Sequence, residues 1–349
     1  MRFRRPTNPL YALPWILVIL AWAGCASEPT EPEPARNNPA SAEPAFLVSQ
    51  KAASSIGFYT WEGILVAEVP VRAHPHEIVE SPDGRFLYIT DNGTMAIEQA
   101  GEGGNTVSIL DIEARRKVGE VDLGRYHRPH GIGVNPVTGD VLVTSENPDR
   151  LLIVNPETRE VTRDFDTKGE TPHIVTASRD GKRAFVSNAR SGTVAAIDLE
   201  SGDVKLIKVG SRPEGSVLSR DGKFLYVANR ESNEISIVDT EKNETTGSIK
   251  TGRTPVRMKL TADQKVLVYA LMDDNKVGFA DIDSREQVAA VDLSGPPVSL
   301  EMSGDGKFAL ACSQDADTVY VISVADRKIV QQFNTSKGAG PDPALYLAE

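Results

Sequence analysis

From residue 46 onward the chain repeats itself about every 42 residues, and few folds are compatible with that period. Turns of the Ser-Pro-Asp-Gly kind recur at residues 81–84, 135–139, 178–181, 219–222, 261–264 and 303–306. Each is followed by a short apolar run: FLYIT, VLVTS, AFVSN, FLYVAN, VLVYA and FALAC. A second run then ends at Asp111, Asn155, Asp198, Asp239, Asp281 or Ser323, at steps of 44, 43, 41, 42 and 42. A further run, such as KVGEVDL, closes each unit. The runs are short, rich in Val, Ile and Phe, and bounded by Gly, Asp and Asn, which reads as strands. No 11-residue window carries a helical period. Four strands per unit of this length make a propeller blade. A lone blade cannot bury both faces of its sheet, whereas blades stacked in a ring bury all of them.

Six complete units begin near residues 74, 128, 171, 212, 254 and 296. The remaining segments fit a seventh. Phe46–Gln50, Ile56–Thr60 and Ile64–Val71 read as its second, third and fourth strands, and Pro341–Leu347 as its innermost one. The expected fold is therefore all-β: a single seven-bladed β-propeller over residues 46–349, closed by N- and C-terminal strands in one blade. A length of 349 residues does not here mean two domains.

Residues 211–240, SRPEGSVLSRDGKFLYVANRESNEISIVDT, resemble the YVTN-type propeller repeat, as does SPDGRFLYITDN near residue 81. The resemblance extends over about residues 46–347. It implies the propeller shape shared by lactonase-like and haem d1-binding propellers. It does not imply a reaction, because one fold of this kind serves many functions.

The residues before the repeats read as an address. Arg2, Arg4 and Arg5 precede the apolar stretch Leu13–Ala23, which is shorter than the about 20 residues a membrane-spanning helix needs. That is the pattern of a secretory leader. Its end, Ala23-Gly24-Cys25, resembles a bacterial lipobox, with Trp22 at the position where the motif prefers Leu. The resemblance implies that residues 1–24 are removed and that Cys25 is lipidated. The chain is then expected in the cell envelope, anchored to a membrane through Cys25. Ala26, in place of the Asp that retains lipoproteins at the inner membrane, points to the outer membrane, at its periplasmic face or the cell surface. Residues 25–45 are rich in Glu and Pro and almost free of apolar side chains, which suits an extended tether.

Charge excludes one class of partner. The formal net charge is −11, and it is more negative still without the three leader arginines. Such a surface repels phosphate backbones, so a nucleic-acid footprint is not expected. Patterns of the GxSxG, HExxH, CxxCH and P-loop types are missing from the sequence. Cys312 falls in an expected strand and reads as a buried, inert thiol.

The histidines are the strongest site signal. In each unit the inner strand follows a proline, and the next residues are His76, His130, His173, Glu214, Val256, Val298 and, in the closing blade, Asp342. Around a ring this places three histidines side by side, flanked by Asp342 and Glu214. The other two histidines, His74 and His127, lie in the loops leading into the same strands. Imidazoles with a carboxylate suit Cu, Fe or Zn, so His76, His130, His173 and Glu214 are candidate metal ligands. Asp342, His74, His127, Arg190 and Arg230 are candidates to orient those ligands or to contact a bound molecule. The alternative is a set of histidines that hydrogen-bond backbone at the channel mouth, copied by duplication.

Second strands return to the same face with Asp91-Asn92, Glu146-Asn147, Asn188, Asn229, Asp273 and Gln314. These read first as turn residues. Arg190 and Arg230 are the ones suited to an anionic ligand. The first unit also carries about 12 extra residues, Gly93–Asn105, expected over the face that holds His76 and readable as a lid or as a tolerated insertion. Two functions lead, with a third behind them. One is a lipid-anchored extracytoplasmic module that binds a ligand or a protein as a scaffold, with no certain cofactor. The other is a metal-dependent enzyme, an oxidase or lactonase-like hydrolase, using the His/carboxylate arc. Carriage of a tetrapyrrole or metal for another protein is a third.

Overall fold

The computed structural model describes residues 43–347. The expectations for the leader, Cys25 and the tether up to residue 42 lie outside these residues. Seven four-stranded antiparallel sheets form, each pairing in simple order from the inner to the outer strand. The inner strands are Pro75–Glu80, His127–Val134, Pro172–Ala177, Pro213–Leu218, Pro255–Leu260, Ser299–Met302 and Pro341–Tyr346, which we number as blades 1 to 7. Each inner strand packs on the next, and that of blade 7 packs on that of blade 1, so the ring is closed. Among the described residues the helical content is a single 3-10 turn, Met272–Asp274.

Closure takes the form read from the sequence. Pro341–Tyr346 pairs with Phe46–Gln50, with Phe46 opposite Tyr346 and Gln50 opposite Pro341. Ser55–Tyr59 and Leu65–Pro70 complete blade 7.

The core is not one body but seven, one in each seam between neighbouring blades. The seam of blades 7 and 1, for example, holds Leu47, Ile56, Phe58 and Val69 against Ile78, Leu87, Ile89 and Leu110. The second and third strands are buried on both faces, which is why they read as unbroken apolar runs rather than alternating ones. Outer strands are mostly exposed, and each sinks one apolar side chain near its end, such as Val121, Phe165 or Ile207.

The recurring turn has a chemical basis. In blade 1 the Ser81 hydroxyl donates to Asp83 (2.5 Å) and accepts from the Phe86 amide (2.9 Å). The same two bonds recur at Ser178, Ser219 and Ser303. These turns lie at the ends of the inner strands, away from the prolines that open them.

Most inner strands carry a bulge just after the proline. Pro75 faces Asp91 but Ile78 faces Ile89, so three steps on one strand match two on the other. Blades 2 to 5 show the same shift. A bulge re-aims side chains and leaves an extra residue unpaired. Here it turns two successive residues, His76 and Glu77 in blade 1, toward the channel instead of one.

Candidate functional site

The bulges bring His76, His130 and His173 together at one mouth of the channel. Their ring centroids are 4.1 Å apart for His76 and His130, and 3.9 Å for His130 and His173. All three are buried, at 9%, 3% and 4% exposure, so this is not a solvated rim. The close approach depends on Gly131. A Cβ there would sit 2.2 Å from the His173 carbonyl oxygen, so only glycine lets the inner strand of blade 2 lie this near that of blade 3.

Two threonines of the second strands set the spacing. Thr90 accepts from the Glu77 amide (3.1 Å) and donates to the His130 carbonyl of the next blade (2.8 Å). Thr144 accepts from the Gly131 amide (2.7 Å) and donates to the His173 carbonyl (2.6 Å). Each hydroxyl thus ties its own bulge to the histidine of the following blade.

Burial holds the flanking rings neutral. The pKa of His76 lies well below the usual 6.5, first through desolvation and then through the nearby charge of Lys51. His173 is lowered in the same way, by burial and then by the neighbouring His130. Buried ring nitrogens Nδ1 of His76, Nε2 of His130 and Nδ1 of His173 have no hydrogen-bond partner in the protein. The other nitrogen of His130, Nδ1, lies 2.7 Å from Glu146 Oε1, and Arg128 Nε lies 2.8 Å from Glu146 Oε2. A carboxylate on Nδ1 fixes the tautomer and leaves Nε2 as the free electron-pair donor, which is how ligating histidines are commonly oriented.

Below the rings lies a layer of buried charge. Arg257 donates to Glu77 Oε1 (2.5 Å) and stands 3.7 Å from Glu214. Lys51 is 3.5 Å from Asp342, and His76 Nδ1 is 3.7 Å from Glu77 and 3.9 Å from Asp342. Burial pushes the Asp342 carboxyl up, with Lys51 opposing it. Burial acts the same way on Glu77, but Arg257 outweighs it and the carboxyl ends below its ordinary value. Beyond the Glu77–Arg257 pair a cavity of about 480 Å³ opens toward the opposite mouth, past Lys259, Glu301 and Met302.

His76, Glu77 and His130 form the compact donor set: one ligand atom from each lies within 4.8 Å of the others. Two ligands on one ion can be at most about 4.2 Å apart, twice a bond of about 2.1 Å, so the set closes on a metal with small side-chain movements. Glu77 uses Oε1 for Arg257, and its other oxygen remains.

The expected site residues fall into place unevenly. His76, His130, His173 and Asp342 converge, and Asp342 occupies the register read for it. Glu214 holds the matching position in blade 4 but is engaged by Arg230 (3.0 Å), Arg212 (3.5 Å) and Arg257. Arg230 is thereby committed to a carboxylate of the protein. His74 faces the Lys51 carbonyl at 3.2 Å, and His127 lies 3.3 Å from Glu102, both outside the cluster. Arg190 has no carboxylate or hydrogen-bonded side-chain partner among the described residues, and it lines a small cavity. Asp91, Asn188 and Asn229 serve their own blades, as turn-like polar residues should. Glu77, Arg257, Lys51 and Glu146 were not singled out as ligands or orienters from the sequence. Strict strand alternation would turn Glu77 and Arg257 away from the channel, and only the bulge returns them.

The extra segment of blade 1 does cross the mouth. Its neck is narrow: the Gly104 amide donates to the Asn92 carbonyl (2.7 Å), and a Cβ on Gly93 would lie 2.1 Å from Gly104 N. Arg128 of blade 2 donates to the carbonyls of Gln99 (2.9 Å) and Ile97 (2.8 Å). Glu98 then reaches Arg212 of blade 4 at 2.5 Å. The segment is a strap, spanning from blade 1 to blade 4.

Comparisons with known proteins agree on the fold. Residues 195–345 match the family model described as YNCE-like beta-propeller. A Kuenenia stuttgartiensis hydrazine synthase structure is similar over 80% of this chain and 92% of its own, at 21% identity and a TM-score of 0.69. A functionally unknown protein from Desulfotomaculum acetoxidans is similar over 86% and 98%, at 12% identity and 0.72. A dihydro-haem d1 dehydrogenase in complex with DHE is similar over 85% of this chain at 15% identity and 0.63, and this chain spans 64% of its length. No curated protein matches the sequence. At these identities the structures show a shared fold, and with the family match they bear out the propeller repeat read from residues 211–240.

Proposed function

We propose that this seven-bladed propeller is an extracytoplasmic ligand-binding module whose ligand is a transition-metal ion held by His76, Glu77 and His130. One observation carries the reading. Three buried imidazoles from consecutive blades present nitrogens that no protein group satisfies, and an unsatisfied buried polar atom is costly unless something binds it. The donor chemistry, imidazole with carboxylate, suits Zn, Cu or Fe. Glu146 and Arg128 orient His130 from behind, and His173 closes the arc on the far side. A metal at this site would act as a Lewis acid on a bound oxygen, which is the chemistry the enzymatic alternative requires. The leader pattern and Cys25 support placement in the cell envelope, and membrane fractionation of Cys25→Ser tests that placement.

The test is metal analysis of the untagged protein after exposure to Zn, Cu and Fe and removal of excess. About one ion per chain is expected, with His130→Ala losing it while keeping the wild-type melting profile of the metal-free protein. No retained metal in the wild type, or equal metal in His130→Ala, overturns the assignment.

A further inference from the structure

We infer that the pocket beneath the strap is a binding site for a small organic carboxylate, received by Arg190 and Arg212. The pocket, about 340 Å³, lies between the strap and blades 3 and 4. Ile97 of the strap forms one wall, and Arg190, Ser191, Ser211, Arg212 and Glu231 form others. Such a volume fits a molecule of a few carbons with a charged end, and an apolar wall suits the rest of it.

The charge inventory points to an anion. The other cations named around this mouth are committed to carboxylates: Arg128 to Glu146, Arg230 to Glu214, Arg257 to Glu77, Lys51 to Asp342, and Arg212 itself to Glu98, Glu214 and Glu231. Arg190 alone among them faces the pocket with no carboxylate partner among the described residues. In a chain of net charge −11, an uncommitted guanidinium at a cavity wall is out of keeping with its surroundings. A guanidinium presents a planar fork of donors that matches a carboxylate. Ser191 accepts the Glu170 amide (2.7 Å), which leaves its hydroxyl hydrogen free to donate.

The protein also supplies its own example of the ligand. Glu98 at the tip of the strap places a carboxylate on Arg212 at 2.5 Å. Its side chain is 62% exposed, so the contact is screened and easily exchanged. An incoming carboxylate that takes Arg190 and Arg212 together displaces Glu98 and releases that end of the strap. Strap position and occupancy of the pocket are then linked, because the same guanidinium serves both.

The experiment titrates the metal-free full chain in detergent with succinate, with succinamide as the uncharged control. It therefore stands or falls separately from the metal assignment. Saturable binding of succinate and none of succinamide is expected. Arg190→Gln should weaken it about tenfold or more, and Glu98→Gln, which removes the internal competitor, should tighten it about tenfold. Both residues are exposed at the mouth, so both variants should fold as the wild type does. The opposite signs are the diagnostic. Absence of succinate binding to both wild type and Glu98→Gln up to about 10 mM, or an unchanged affinity in Arg190→Gln, overturns the inference.

Discussion

The two sides of the ring are built alike and furnished differently. Blades 1 to 3 place His76, His130 and His173 after their opening prolines, and blades 5 and 6 place Val256 and Val298 at the same points. Blades 2, 3 and 5 share the bulge and the proline, yet Val256 simply joins an apolar seam. The repeat therefore dictates where a side chain goes and not what it does there. The site is a departure from seven-fold sameness, confined to one arc.

The comparison can be broken outright by opening the ring. Deleting residues 341–347 removes the inner strand of blade 7, uncovers the seams on both of its sides and takes Asp342 from the site. The loss should exceed the about 5–15 kcal/mol of an ordinary fold, leaving no cooperative melting transition by calorimetry. A cooperative transition near that of the full chain would show that closure is not what holds either side.

A smaller change sharpens it. Glu146→Gln keeps the shape behind His130 but weakens the charge that orients it. Metal affinity should fall about 10–100-fold by competition with a chelator, and Val256→Ala on the other side should leave it unchanged. Equal loss in both variants would mean that general destabilisation, not orientation, is being read.

The smallest effect is on pH dependence. His76 and His173 have folded-state pKa values below the unfolded 6.5. As pH falls through 6.5 the unfolded chain takes up protons there and the folded protein does not. Stability of the metal-free protein should therefore fall, by up to about 1.4 kcal/mol per pH unit for each histidine. Asp91, pushed up by burial to about 6, has the opposite sign: below about 6 the folded state takes its proton first, which offsets part of the loss down to 3.8. Urea unfolding of the wild type and of the His76→Val/His173→Val double variant checks this. A double variant as pH-sensitive as the wild type between neutrality and pH 6 would remove the histidines from the account.

Much of this was legible in the residues. The 41 to 44-residue steps follow from a blade's fixed strand number, and the Ser–Asp turn recurs because its hydrogen bonds do. Proline marked each inner strand, so even Asp342, some 266 residues after His76, could be aligned with it. What stayed hidden depends on the bulge. Strand alternation alone would face Glu77 and Arg257 away from the channel, and a one-residue register shift is invisible in a sequence of ordinary β-formers. Glu146 read as a turn residue because nothing in its local pattern says that an imidazole one strand away needs a partner. Glu214 read as a ligand because two of its competitors, Arg230 and Arg257, come from elsewhere in the chain.

The threonine hydroxyls have a consequence for how the arc is positioned. Thr90 locates the backbone at His130, and Thr144 locates it at His173. In blade 3 the corresponding Ser187 hydroxyl has no partner, and blades 4 and 5 carry Ala228 and Ala270 there. The tie thus exists only where the following blade supplies a histidine. His130 and His173 each take their reference point from the blade before, as parts on an assembly line are gauged one from the next, whereas His76 has no such tie, the corresponding Ser49 hydroxyl of blade 7 being unpartnered. Small displacements in blade 1 add up toward blade 3, and the tolerance of the whole arc is set at its first member.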